Sequence, residues 1–223
     1  MTDAEASMIL DTPKGGTATG AAHAPTEDFA ARTAQASGDP VQLHRDAVDV
    51  SGFLDMVWPR VRAILQPLRD YRVLDVGCGY GRYAPFLSAF SCADYLGVDA
   101  VPDRIAYARN RYGGRCAFTV ADIRSPVDGQ YELVWCSTVI QHLPLSGKLA
   151  ALRTIRTAMA PGGTALIWEG LILRLTIQGC AAMYQDPMCA AHMIPTPFGV
   201  FAEAFSGCRI EKLHAGLYEV TAP

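Results

Sequence analysis

A chain of 223 residues, half of them apolar, has material for one sizeable core and little for a second domain. Its net charge of −3, without a long basic run, speaks against nucleic acid as the main partner. No uncharged apolar run approaches the roughly 18 residues of a membrane span. The opening Met1–Leu10, with Asp3 and Glu5, does not read as a secretory signal, so a cytoplasmic location is expected.

Residues 1–40 are rich in Ala, Thr, Gly and Pro, with Phe29 as the one aromatic, and are expected to form a flexible tail; the alternative is a flap that orders over bound ligand, with Phe29–Ala36 as a candidate short helix. Residues 41–223 are expected to form a single domain. Ser51 is placed to cap a helix whose stripe runs through Phe53, Leu54, Val57, Val61, Ile64, Leu65 and Leu68, bent or shortened by Pro59 and Pro67. His44 and Arg45 read as a solvated pair ahead of it.

Val73, Leu74 and Val76 read as a short buried strand leading into Gly77, Gly79 and Gly81. Those glycines permit a tight turn and close ligand approach. A helix from Arg82 with Tyr83, Phe86, Leu87 and Phe90 on its apolar face is expected next. A dinucleotide loop has glycines at its first, third and sixth positions. Here the third glycine comes fifth, and Arg82 takes the sixth place. Asp75, at the strand's end, would repel a pyrophosphate and suits a cation.

Tyr95–Asp99 is expected as the second strand, and its terminal acid lies 22 residues after Gly77. At that spacing an α/β nucleoside site places a carboxylate to accept ribose hydroxyls. Asp99 is equally suited to cap a helix over Pro102–Arg111. Ala100 and Val101 offer apolar contact for an adenine face. Cys116–Val120 is a third strand, and Asp122, followed by Ile123, can accept from an exocyclic amine. Tyr131–Cys136 is a fourth strand, followed by Ser137, Thr138, Gln141 and His142. Ser146 is a candidate cap for a helix with Leu149, Leu152, Ile155 and Met159 inside, ended by Ala160–Gly163 before a fifth strand at Thr164–Trp168. Residues 170–198 fit no regular pattern and are either a substrate-covering insertion or a helix against the core edge. A helix at Phe198–Phe205 precedes strands at Cys208–Leu213 and Leu217–Thr221, paired antiparallel across Ala215–Gly216.

The run Leu74-Asp75-Val76-Gly77-Cys78-Gly79-Tyr80-Gly81 closely resembles motif I of class I S-adenosylmethionine-dependent methyltransferases. Asp99, Asp122-Ile123, the Val139–Pro144 segment and Pro161-Gly162-Gly163 follow in that family's order, so the resemblance spans about residues 50–170. It implies a doubly wound α/β Rossmann-like sheet, mostly parallel with an antiparallel C-terminal strand and helices on both faces. It also implies S-adenosyl-L-methionine as cofactor and methyl transfer to oxygen or nitrogen. Carried onto matching positions, Gly77, Cys78 and Gly79 approach the methionine portion, Asp75 draws its ammonium and Arg82 serves its carboxylate. Asp99 takes the ribose, Ala100, Val101, Asp122 and Ile123 the adenine, and Ser137 completes the edge. The short C-terminal ending departs from the family, whose last strands have a longer connection.

Candidate bases are His142, after the fourth strand, then Glu169, then His192 in the insertion. Glu169 is also a candidate ion-pair partner of Arg174. The absence of an Asn/Asp-Pro-Pro-Tyr run at Ser137–Ile140 disfavours enzymes acting on adenine or glutamine amides, leaving a small-molecule acceptor. The seven scattered cysteines read as reduced thiols, and Cys180, Cys189 and His192 match no usual zinc spacing, so no metal is expected. An aminopropyl transferase on the same fold, or a silent donor- or partner-binding module, are the other readings; the former lacks its acidic polyamine-binding pattern after the fourth strand.

Overall fold

The computed structural model describes residues 57–169, 172–173, 194–214 and 216–223. The tail, its Phe29–Ala36 helix, His44, Arg45, Ser51, Phe53, Leu54, Arg174, Cys180, Cys189, His192 and nearly all of the 170–198 insertion lie outside the described residues.

Seven strands form one sheet in the order β3-β2-β1-β4-β5-β9-β8. They are β1 (Tyr71–Val76), β2 (Cys92–Asp99), β3 (Ala117–Val120), β4 (Tyr131–Ser137), β5 (Met159–Trp168), β8 (Arg209–His214) and β9 (Leu217–Thr221). The pairs among β1 to β5 are parallel, while β9 runs antiparallel between β5 and β8. A hairpin closed by Gly216 at φ +74° makes this ending, so the short C-terminal connection suffices to insert the last strand. A separate two-stranded pair joins β6 (Ile172–Leu173) to β7 (Thr196–Pro197).

Both faces of the central strands are covered, which is why β1 and β4 read as near-continuous apolar runs. Leu74, Val76, Val134, Cys136 and Ile167 pack with Leu152, Ile155 and Phe201 of helices α4 (Leu145–Ala158) and α5 (Phe198–Ala204). On the opposite face Tyr71, Val73, Leu133, Trp135 and Leu166 pack with Val61, Leu65, Leu87 and Ile105 of α1 (Trp58–Leu65), α2 (Ala84–Leu87) and α3 (Pro102–Tyr112). Arg60 on α1 grips the buried carboxylate of Glu219 on β9 through two bonds of 2.5 and 2.6 Å, tying the helix to the C-terminal strand.

Several local expectations are corrected. The helix expected from Arg82 to Phe90 is one turn, Ala84–Leu87, because Phe90 takes φ +62° and reverses the chain. Ser146 does not cap α4; Pro144 occupies that position without a side-chain bond, its extended backbone setting the helix entry. The Pro-Gly-Gly turn lies within β5, where the register against β4 shifts between Tyr131 and Leu133. Val101, not Asp99, is the N-cap of α3.

Candidate functional site

The ends of β1, β2 and β4 and the turns after them enclose a cavity of about 500 Å³. Brought together on its wall are Asp75, Gly77, Cys78, Gly79, Arg82, Asp99, Ala100, Val101, Asp122, Ile123 and Ser137, residues from four separate stretches of sequence. This is the crevice at the carboxyl ends of parallel strands where the strand order reverses, between β1 and β4.

Two loop glycines have a demonstrable reason to lack a side chain. Gly77 sits at φ +70°, and a Cβ there would lie 2.3 Å from Val139 Cγ2. Gly81, at φ +76°, seats the turn tightly on Phe118, Tyr112 and Ala108. The N–H groups of Gly77 and Cys78 donate to Val98 O at 2.7 and 2.9 Å, so the first part of the loop is anchored to β2.

Asp99 fastens the loop from the other side. Its Oδ2 accepts from Gly79 N–H at 3.0 Å and its Oδ1 from Val101 N–H at 2.9 Å. The carboxylate thus fixes both turns around the cavity and keeps lone pairs free for further donors, since a carboxylate accepts about four bonds. Asp122 is oriented by Arg124. The guanidinium Nε bonds both carboxylate oxygens at 2.9 Å, Nη2 bonds Oδ2, and the Arg124 N–H adds another bond at 2.9 Å. These bonds hold the Asp122 carboxyl below its ordinary pKa.

Asp75 is the unusual acid. It is 1% exposed and accepts from Tyr95 OH at 2.6 Å. Burial pushes its pKa up to about 7, against the pull of the Tyr95 hydroxyl and of Arg82, while Asp99 adds to the rise. A buried acid poised near neutrality beside a cavity is suited to a cationic ligand group, which would supply the missing counter-charge. Arg82 lies 4.6 Å over the Tyr83 ring and reaches the cavity wall. Ser137 Oγ is buried without a hydrogen bond of normal geometry, and burial pushes the pKa of the nearby Tyr83 phenol up against the pull of Arg82 and Ser137.

Residues 73–163 match the model of a family described as a methyltransferase domain. Methyltransferase GfsG of Streptomyces halstedii is 26% identical over 126 residues, 53% of this chain and 44% of that protein. A solved amino pentose methyltransferase from Micromonospora echinaspora superposes with a TM-score of 0.62 at 18% identity, covering 82% of this chain and 95% of the other. A sugar N-methyltransferase from a Streptoalloteichus species gives 0.60 at 16% identity, covering 95% and 98%. Residues 73–163 are thus similar to a methyltransferase domain, and the chain shares the fold of solved S-adenosylmethionine-dependent methyltransferases. It spans less than half the length of the curated relatives it matches.

Within this methyltransferase fold the candidate bases separate. His142 closes a 3-10 turn, Ile140–His142, and lines the cavity. Glu169 does not line it. Its side chain is 1% exposed and accepts the N–H groups of Val139, Ile140 and Gln141 at 2.6, 2.8 and 3.2 Å. Glu169 as a base or cation guide is therefore corrected: the strand ends fold the post-β4 turn over its carboxylate and shut it away from the cavity. Sequence reasoning missed the aromatic part of the wall, Tyr83, Phe86, Tyr107 and Trp135. Trp135 shares a row with Asp75 across β4 and β1. Its signal was present in the sequence, since a Trp two residues before the end of a central strand must share a face with the residue paired beside it.

Among the described residues there is no cluster of His, Cys, Asp or Glu arranged to hold a metal ion. No described helix is long and apolar enough to cross a membrane.

Proposed function

We propose that this domain transfers the methyl group of S-adenosylmethionine to an oxygen or nitrogen of a small-molecule acceptor by in-line displacement. The observation that carries the reading is the meeting of the glycine turn, Asp75, Asp99 and Asp122 around one cavity. The residues present fit the donor's chemistry. A low-exposure acid answers an ammonium, a backbone-anchored carboxylate answers a ribose diol, and an Arg-fixed carboxylate answers an adenine amine.

The bound donor supplies an activated methyl on a sulfonium, so the chain has mainly to align an acceptor and exclude water. Asp75 and Arg82 hold the amino-acid end, Asp99 the ribose, and Asp122 with Ile123 the adenine. The Tyr83, Phe86 and Trp135 side chains keep water from the wall beside Asp75. His142, at the cavity's β4 edge, accepts the proton when the acceptor is a hydroxyl or a protonated amine. The amino-sugar relatives in the same fold support a small polar acceptor. The five described cysteines are free thiols, which suits a reducing cytoplasmic compartment.

The test is methyl transfer from methyl-labelled S-adenosylmethionine to a panel of amino sugars, sugars and phenols, with transfer RNA and protein as counter-panels. Label in a small acceptor supports the reading. Label only in RNA or protein, or in nothing while the donor binds, contradicts it.

A further inference from the structure

The turn that leaves β4 is built under constraint. Thr138, a β-branched residue, takes φ +55°. Such a backbone persists only where its surroundings over-determine it. The next three N–H groups, from Val139, Ile140 and Gln141, converge on the Glu169 carboxylate. Three successive N–H groups around one anion form an anion nest. Lys148, fully buried on α4, donates its ammonium to Ile140 O on the same turn. Ile194 N–H donates to Gln141 O at 2.7 Å, so the chain returning toward α5 is also pinned here.

The turn faces the cavity with Thr138, Val139 and His142. Val139 packs directly on Gly77, the first glycine of the donor loop. A network outside the cavity therefore touches both the acceptor edge and the donor loop through one turn.

We infer that Glu169, with Lys148 beside it, is a positioning residue: it holds the post-β4 turn so that Val139 clamps Gly77 and His142 faces the cavity. The inference rests on the donor-site reading above for its consequence in binding, and on geometry alone for the ordering of the turn.

The test compares wild type with Glu169→Ala and Glu169→Gln, following amide exchange at Val139, Ile140 and Gln141 and affinity for S-adenosylhomocysteine. Leu74 and Val134 amides in the sheet report the fold. In the Ala variant exchange at the three turn amides should quicken about a hundredfold relative to the sheet, as expected when charge-assisted bonds are lost. Affinity for S-adenosylhomocysteine should fall about tenfold or more as the clamp on Gly77 loosens. Gln keeps a carbonyl oxygen for Val139 and Ile140 but turns an NH₂ toward Gln141. Its pattern should be selective, with Gln141 exchanging fast and the other two staying slow. That fingerprint is readable even where the Ala variant fails to fold. Equal acceleration of turn and sheet amides would show a general stabilising role and overturn the inference. So would a loosened turn with unchanged affinity. Absence of binding in wild type would instead count against the donor-site reading, while the exchange pattern still decides the positioning of the turn.

Discussion

Asp75→Asn is the most informative single change. The variant keeps the shape of the side chain and an acceptor for the Tyr95 hydroxyl, which lies 2.6 Å away, but removes the charge. Burial has raised the Asp75 carboxyl from an ordinary 3.8 to about 7. The folded state therefore holds the proton more tightly than the unfolded chain. The resulting stabilisation is fully present below the unfolded value and is lost as pH rises through about 7. At about 1.4 kcal/mol per tenfold, the whole loss is of order 4 kcal/mol above neutrality. The Asn variant has no charge to desolvate. Its advantage over wild type should grow across the acid range and level off above neutrality, with that figure as a ceiling. Urea denaturation at a series of pH values, with the slope unchanged between proteins, reads this directly. Glu169 is raised to about 7 by burial as well, so the comparison must be between the two proteins and not along one curve. Equal stability above neutral pH, or an advantage that does not shrink on acidification, would refute the reasoning. The same charge has a second consequence. If a donor ammonium pairs with ionised Asp75, wild-type affinity for S-adenosylhomocysteine should rise roughly eightfold from about pH 6 to about pH 7.5, as the ionised fraction rises. In the Asn variant affinity should be weaker and nearly flat over that range.

Other substitutions separate structural from binding roles. Asp99→Ala removes the acceptor for Gly79 and Val101 N–H as well as the ribose acceptor, each charge-assisted bond being worth about 1.5–3 kcal/mol. Calorimetry should show at least a roughly tenfold loss of donor affinity, and an unchanged affinity would remove this acid from the site. Gly77→Ala places a Cβ against Val139 at a positive φ. It should destabilise by about 2–4 kcal/mol in chemical denaturation, combining the left-handed penalty with overpacking. Adding Val139→Ala should recover the packing part only, so full recovery or none would contradict the contact. His142→Ala should leave S-adenosylhomocysteine affinity little changed and slow transfer to a hydroxyl acceptor about 10²-fold or more, the usual contribution of a general base. Equal rates would show that His142 takes no proton.

How much the sequence revealed depended on how local each feature is. The glycine turn, Asp75, Asp99 and Asp122 are legible because each stands at the end of a short apolar run, and strand ends in a parallel sheet share an edge. The role of Glu169 was hidden because it depends on two strand ends meeting, residues 139–141 against 169, about 30 positions apart. The raised pKa of Asp75 was hidden for the same reason, since the burial behind it comes from β1 lying between β2 and β4. The brevity of α2 follows from a left-handed Phe90, a conformation that no residue pattern announced. Arg124 stands two residues after Asp122, close enough to have been read as its partner.

The central claim is that the cavity beside Gly77 binds S-adenosylmethionine chemistry. Calorimetric titration with S-adenosylhomocysteine beside NAD tests it most directly. The account predicts saturable micromolar binding of S-adenosylhomocysteine and none of NAD. Binding of NAD alone, or of neither, would contradict it.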